Sequence, residues 1–187
     1  MKDKKISIFN LILYIIYIFS IIFFIFKGEY GKSGLSAFCL VILFVLNKLY
    51  SENYPIIDKS LFIVGNLFIL FSFLLGSCYN LYDKIKIYDD FLHFWSGFIT
   101  VKIGWNILNF LNIQNSSSKI IILVLILFFG LGISGLLEII EYLLDVVFGK
   151  DTQSGGLKDT MQDMIDALVG GLIMSGYYLR KIKKINQ

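Results

Sequence analysis

Six long runs of hydrophobic residues, separated by short polar connections, dominate the 187-residue chain. A helix needs about 20 mostly apolar residues to cross the hydrocarbon core of a bilayer. The pattern therefore predicts an all-α, polytopic membrane protein of about six transmembrane helices in one compact bundle, with residues 1–187 forming a single transmembrane domain. The predicted helices cover about residues 6–26, 34–50, 61–82, 91–112, 119–148 and 157–179.

Composition supports this interpretation, because 57% of the residues are hydrophobic and only 17% are charged. A soluble domain of this size needs more polar residues to cover its surface. The first run follows a lysine-rich start as a signal peptide does, but it is 21 residues long, from Ile6 to Phe26, and no small-x-small cleavage site follows it. We expect it to remain as the first helix. The net charge of +3 comes without a basic tract or interleaved aromatic residues, so a nucleic-acid partner is not expected.

The lysine and arginine residues between the runs predict the orientation. Cytoplasmic connections of membrane proteins carry an excess of these residues. With the N-terminus inside, the inner segments hold ten of them and the outer segments hold six. The basic tail Arg180–Lys184 supplies much of the difference. We therefore expect a multi-pass protein of the bacterial cytoplasmic membrane with both termini in the cytoplasm; the excess of lysine over arginine and the abundant isoleucine suggest an AT-rich bacterial genome.

Ionisable residues gather in three patches, at the start of helix four, late in helix five and at the start of helix six. Within each patch the residues are spaced by three, four or seven positions, which places them on one face of a helix. Helix four starts on the side of the membrane where helix five ends and helix six starts, so topology brings all three patches to one level. With the predicted orientation, that level is extracytoplasmic. The patches are Asp89–His93, Glu138–Glu141 and Asp159–Asp166.

These carboxylates would have a high free-energy cost if they faced lipid. An ionised carboxylate at mid-bilayer costs roughly 3 kcal/mol, and several together would cancel much of a typical stability of about 5–15 kcal/mol. A divalent cation that the carboxylates share with the chain's one histidine resolves both the burial and the mutual repulsion. The cation would be Mg²⁺, Mn²⁺ or Zn²⁺. The candidate metal ligands are His93, Asp90, Glu138, Glu141, Asp159, Asp163 and Asp166, of which Glu138 and His93 are also the candidate catalytic residues.

Structural roles remain open for several of these residues. Asp89, Asp90 and Asp159 are also suited to stabilise helix N-termini. For Glu141 and Asp145, the alternative is a solvated position among the lipid headgroups near Lys150. A single histidine is more often a hydrogen-bonded interface residue than a ligand, although the position of His93 beside two acidic patches favours a site. Lys102 lies half a turn away from the face of His93, and we expect it to reach towards the cytoplasmic side.

The Asp-Asp-x-x-His motif at the start of helix four, the Glu-x-x-Glu pair and the final segment from Lys158 to Gly171 resemble the YjdF-like bacterial inner-membrane family. That family is similar in pattern to the VanZ-like proteins, and the resemblance covers roughly residues 75–180. It implies a compact helical membrane domain and, through the VanZ-like proteins, a link to the cell envelope and lipoglycopeptide resistance. The positions that match the family pattern are His93, Glu138, Glu141, Asp159, Asp163 and Asp166.

Three functions are compatible with these observations. The first is a metal-dependent hydrolase or transferase that acts on a lipid or lipid-linked envelope substrate, with Glu138 as the general base. The second is a non-catalytic envelope or antibiotic-resistance module, in which the acidic residues fasten helices or bind a ligand. The third is a cation or proton transporter, although the acidic residues gather at one side and the sequence has no internal repeat. The expected partners are membrane lipids; the oligomeric state is left open.

Overall fold

The computed structural model describes residues 4–113, 118–149, 152–153 and 156–181, and within these ranges the chain is helical, with short connections and no strand. Four of the lysines that enter the orientation prediction, Lys2, Lys150, Lys183 and Lys184, lie outside the described residues. The seven α-helices of the described chain are α1 (Lys4–Phe26), α2 (Tyr30–Ser51), α3 (Lys59–Ile69), α4 (Leu81–Lys84), α5 (Tyr88–Phe110), α6 (Lys119–Phe148) and α7 (Leu157–Lys181).

Each of the six predicted segments forms a helix, so the prediction of an all-helical membrane protein is confirmed. The helix ends have local causes. The side chain of Asp58 accepts a hydrogen bond from the backbone N–H of Leu61 at 2.8 Å and caps α3. Ser118 caps α6 in the same way through Ile121, at 3.3 Å. Gly149 ends α6 in the left-handed conformation, with φ 60°, which glycine adopts without steric cost.

The third helix differs from the prediction in its second half. After α3, residues Leu70–Cys78 continue as a π-helix, and the backbone N–H of Tyr79 donates to the carbonyl of Leu74 at 3.0 Å. Asn80 then takes the left-handed conformation and ends the helix. The third helix therefore finishes a few residues before the predicted end at position 82. The ring of Tyr82 folds back against Gly76, where any Cβ atom would collide with it. Glycine at this position therefore permits the turn into α4.

The distribution of polar and apolar residues is that of a membrane protein. Four helical stretches, namely α1, α2, α3 with its π-helix, and α6, are long and apolar enough to cross a membrane. On α1, large side chains such as Phe19 and Phe26 are exposed while Asn10 and Ser20 are buried. This is the reverse of the pattern in water-soluble helices. Helices α5 and α7 reach roughly 35 Å at 1.5 Å per residue, also long enough to cross, but they carry most of the acidic residues of the predicted site.

The chain divides into two compact units, one ending at Tyr88 and the other beginning at Asp89; the prediction of a single domain stays a prediction. In the first unit, Leu13, Tyr17, Cys39, Leu43, Leu74 and Cys78 form the core. Asn10 donates from its amide to the side-chain oxygen of Asn47 at 2.7 Å, linking α1 to α2. Interhelical hydrogen bonds of this kind stabilise membrane helices, since lipid offers no alternative partner.

In the second unit, glycines bring three helices close together. A Cβ atom on Gly97 of α5 would collide with the carbonyl oxygen of Ala167 on α7, and one on Gly170 of α7 would collide with the carbonyl oxygen of Phe94 on α5. On α6, a Cβ atom on Gly130 would lie 3.2 Å from the hydroxyl oxygen of Thr100. Small residues are the usual means by which membrane helices approach closely. Further along α5, the ring of Trp105 stacks on that of Tyr178 with centroids 4.5 Å apart.

The close contact between α5 and α7 yields a prediction for stability. Gly97→Ala and Gly170→Ala should each destabilise the protein by about 1–3 kcal/mol, because the added methyl group meets backbone atoms that no rotamer change can move. The measurement is the midpoint of thermal unfolding of the purified protein in detergent.

Two other glycines provide matched controls. Gly132 on α6 and Gly176 on α7 have no atom within 4 Å of an added Cβ, so Gly132→Ala and Gly176→Ala should be neutral or slightly stabilising. Equal effects at all four positions would contradict the close contact.

Candidate metal centre

The first turns of α5 carry the only histidine of the chain, and its imidazole faces a carboxylate of the same helix. Asp89 and His93 are four residues apart, so their side chains lie on one face of α5. The Nε2 atom of His93 lies 3.5 Å from an oxygen of Asp89. His93 is 8% exposed, whereas the side chain of Asp89 is 34% exposed, so the contact is buried on the side of the imidazole.

Helix α6 places two further carboxylates beside the same imidazole. An oxygen of Glu138 lies 3.7 Å from the Nδ1 atom of His93, and an oxygen of Glu141 lies 4.0 Å from Nε2. Glu138 is buried, at 4% exposed, and Glu141 is half-buried. The two glutamates are three residues apart and lie on one helical face. The imidazole of His93 therefore has carboxylates near both of its ring nitrogens.

Helix α7 contributes the aspartates of the third patch. Asp163 is 1% exposed, and Asp166, one turn further along, is half-buried. The side-chain amide of Gln162 donates to one oxygen of Asp166 at 3.0 Å. Asp159 lies in the first turn of α7. The spacing of these aspartates directs them to the same side of the helix.

Three groups of side chains have their potential ligand atoms within 4.8 Å of one another. We call their combined residues the acidic–histidine cluster. Two atoms that bind one divalent cation at about 2.0–2.5 Å each lie at most about 5 Å apart, so each group is compact enough for one ion. The groups are Asp89, His93 and Asp163; His93, Glu138 and Glu141; and Asp90, Asp163 and Asp166.

Several buried atoms of the cluster lack a hydrogen-bond partner in the part of the chain that the structure describes. They are Nδ1 of His93, Oε1 of Glu138 and Oδ2 of Asp163. Buried polar atoms normally have a partner, and an unpaired carboxylate oxygen is costly. A cation would supply that partner, and carboxylate and imidazole groups are suitable ligands for Mg²⁺, Mn²⁺ or Zn²⁺. The residues present therefore fit a divalent metal.

A short connection after α6 brings a further polar side chain to the cluster. Asp145, near the end of α6, accepts hydrogen bonds from the backbone N–H groups of Thr152 and Gln153 at 2.7 and 2.9 Å. The side-chain amide of Gln153 in turn donates to Oε2 of Glu138 at 3.5 Å and to the hydroxyl of Thr160 at 2.9 Å. Asp145 therefore anchors the connection through both of its oxygens.

The structure brings together six of the seven residues predicted as ligands, and Asp159 is the one that belongs to none of the three groups. The sequence interpretation left Asp89 out of the candidate ligands and kept a role at the helix N-terminus open for it; Asp89 lies in the first turn of α5 and also beside His93. Its spacing of four residues from His93 was the signal that could have identified it. Gln153 carried no such signal, because its position depends on Asp145. Lys102 is buried, and its ammonium group lies 3.4 Å from the side-chain oxygen of Asn106.

These features define a helical membrane protein with a buried acidic–histidine cluster. The chain belongs to the family described as "Predicted membrane protein (DUF2238)", whose model matches residues 9–184. No curated protein and no solved structure matches the chain. The family assignment supports the membrane location and covers nearly the whole sequence.

The anchor at Asp145 yields a prediction for local dynamics. Asp145→Asn removes a charge and one of the two acceptor oxygens, so the amides of Thr152 and Gln153 should exchange with solvent deuterium several-fold faster. Hydrogen–deuterium exchange with mass spectrometry measures this change. Asp83→Asn, at an exposed carboxylate remote in sequence, is the control, and unchanged exchange in Asp145→Asn would contradict the role of Asp145.

Proposed function

We propose that this membrane protein is a metal-dependent hydrolase or transferase that acts on a lipid or lipid-linked envelope substrate. The observation that carries the proposal is the arrangement around His93, in which carboxylates from α5, α6 and α7 converge on one buried imidazole within ligand distance. Buried ionisable groups that lack some of their hydrogen-bond partners are typical of functional sites. The Nδ1 atom of His93 and Oε1 of Glu138 face each other at 3.7 Å, beyond hydrogen-bond distance, and Oδ2 of Asp163 has no hydrogen-bond partner among the described residues.

In this proposal the ligands are His93 with Asp89, Glu141 and Asp163. A divalent cation bound there would lower the pKa of a bound water and polarise an oxygen of the substrate. Glu138 is the general base. Its Oε2 atom accepts from Gln153 at 3.5 Å, which orients the carboxylate. Its Oε1 atom faces Nδ1 of His93 at 3.7 Å, has no hydrogen-bond partner among the described residues, and would take the proton.

The surroundings of Glu138 support a lipid substrate. Leu136, Ile139 and Ile140 of α6 are all more than half exposed, next to a buried glutamate. An acyl or isoprenoid chain in the bilayer would contact these apolar side chains while its polar headgroup reaches the cluster. The resemblance to YjdF-like and VanZ-like proteins agrees with an envelope substrate, and the predicted orientation would place the cluster on the extracytoplasmic side.

One feature disfavours a merely structural role for the cluster. The glycine contacts already hold α5 against α7, so the acidic residues are not needed as a fastener.

The test compares metal content and activity in matched variants of the purified protein. His93→Gln and Asp163→Asn should each lower the affinity for the metal by about tenfold or more. Elemental analysis after dialysis should then find less metal bound to each variant than to the wild type. Glu138→Gln should retain the metal and lose activity against lipid phosphates and lipid-linked diphosphates, about 10²–10⁴-fold.

Asp83→Asn is the control and should match the wild type in both measurements. Wild-type protein that binds no divalent metal would overturn the proposal. So would full activity in His93→Gln together with unchanged metal content.

A further inference from the structure

Asp163 belongs to two of the three ligand groups. In one group it joins Asp89 and His93, and in the other it joins Asp90 and Asp166. The two groups differ in chemistry, because the first contains an imidazole and the second consists of carboxylates alone. Asp90 and Asp166 are grouped with Asp163 and not with His93, so the two groups are different sets of ligands that have Asp163 in common.

We propose that the cluster binds two divalent cations that share the carboxylate of Asp163. The first is the cation of the proposed function, held in the group of His93, and this inference rests on that function. The second is a hard cation such as Mg²⁺ or Mn²⁺, held by Asp90, Asp163 and Asp166. Such ions prefer oxygen ligands.

The burial of Asp163 is the independent support for this second site. Asp163 is 1% exposed, and its Oδ2 atom has no hydrogen-bond partner among the described residues. A carboxylate has two oxygens, and a buried one is stable only when both are satisfied. In a bridging position each oxygen of Asp163 binds one cation, and Oδ2 gains the partner that the described residues do not supply.

Formal charge favours more than one ion. The two groups that share Asp163 contain four carboxylates and one imidazole, which carry a charge of −4 when the histidine is neutral. One divalent cation leaves half of that charge uncompensated in a poorly solvated site, and a second cation compensates the rest. Glu141, a ligand of the first ion in the proposed function, and Glu138 add two further carboxylates beside that ion, and Glu138 keeps its role as a base.

A pair of cations also narrows the substrate class. Two-metal sites, with ions about 3.5–4 Å apart, are typical of enzymes that displace groups at phosphorus, because one ion can stabilise the attacking oxygen and the other the leaving oxygen. Among lipid-linked substrates, this arrangement favours those with a phosphate or diphosphate ester over those with only carboxyl esters.

The test counts Mn²⁺ ions on the full-length protein in detergent by equilibrium dialysis and by electron paramagnetic resonance. The wild type should bind two equivalents, and the two ions should broaden each other's signal through magnetic coupling. The Asp90→Asn/Asp166→Asn double variant should bind one equivalent with an uncoupled signal. His93→Gln should also bind one, and Asp163→Asn should lose the coupled pair. Asp83→Asn should bind two.

The outcomes separate this inference from the proposed function. A wild type that binds one Mn²⁺, lost in His93→Gln and kept in the double variant, would overturn the second site and leave the proposed function standing. Two equivalents that persist in the double variant would also overturn it. A wild type that binds none would overturn both. If the double variant does not fold, Asp166→Asn alone, at a half-buried position, should weaken the second equivalent by about tenfold; unchanged affinity would refute the site.

Discussion

The close approach of α5 and α7 at their glycines is the contact on which the rest of the second unit depends. Helices packed through larger side chains are about 8–10 Å apart, whereas Gly97 and Gly170 each allow contact with the opposite backbone. Gly97 follows His93 by about one turn, and Gly170 follows Asp163 by about two. The glycine contact therefore holds the start of α5 beside the start of α7. Side chains as short as aspartate can then enter the same ligand group.

Helix α6 completes this arrangement with its C-terminal part, which lies beside the N-terminal parts of α5 and α7. It packs against Thr100 and Val101 of α5 through Gly130, two turns before Glu138. Its C-terminal part then runs past His93 and brings Glu138 and Glu141 to the imidazole. The connection anchored by Asp145 returns the chain to the start of α7 and adds Gln153 on the way. The cluster thus depends on backbone packing in the apolar interior and on hydrogen bonds of the connection between α6 and α7.

Burial gives the cluster its chemical character. Near the interface, the same carboxylates would be hydrated and their charges screened. In the structure, Glu138 and Asp163 are nearly inaccessible, while neighbouring apolar side chains of α6 are exposed. Exposed apolar side chains and buried charged groups therefore lie next to each other. This proximity suits the lipid substrate that we propose, and it distinguishes the cluster from acidic residues that only end a helix.

Much of the fold and part of the site could be predicted from the sequence. The six helices follow from local hydrophobicity and length, because a bilayer requires each crossing segment to satisfy its own backbone hydrogen bonds. The common level of the acidic patches follows from the alternation of up and down segments, so His93, Glu138 and Asp163 could be proposed together. Local spacing would also have paired Asp89 with His93.

The tertiary structure alone decided which of these side chains touch. Asp163 belongs to two ligand groups and Asp159, one turn earlier on the same helix, belongs to none. The difference depends on the rotation of α7 about its axis and its crossing with α5, which the glycine contacts determine. Gln153 reaches Glu138 only because Asp145 holds its backbone. These positions depend on atoms far apart in the chain, so no local pattern of residues encodes them. Hydrophobic length is a property of each segment, but distances between helices come from their packing.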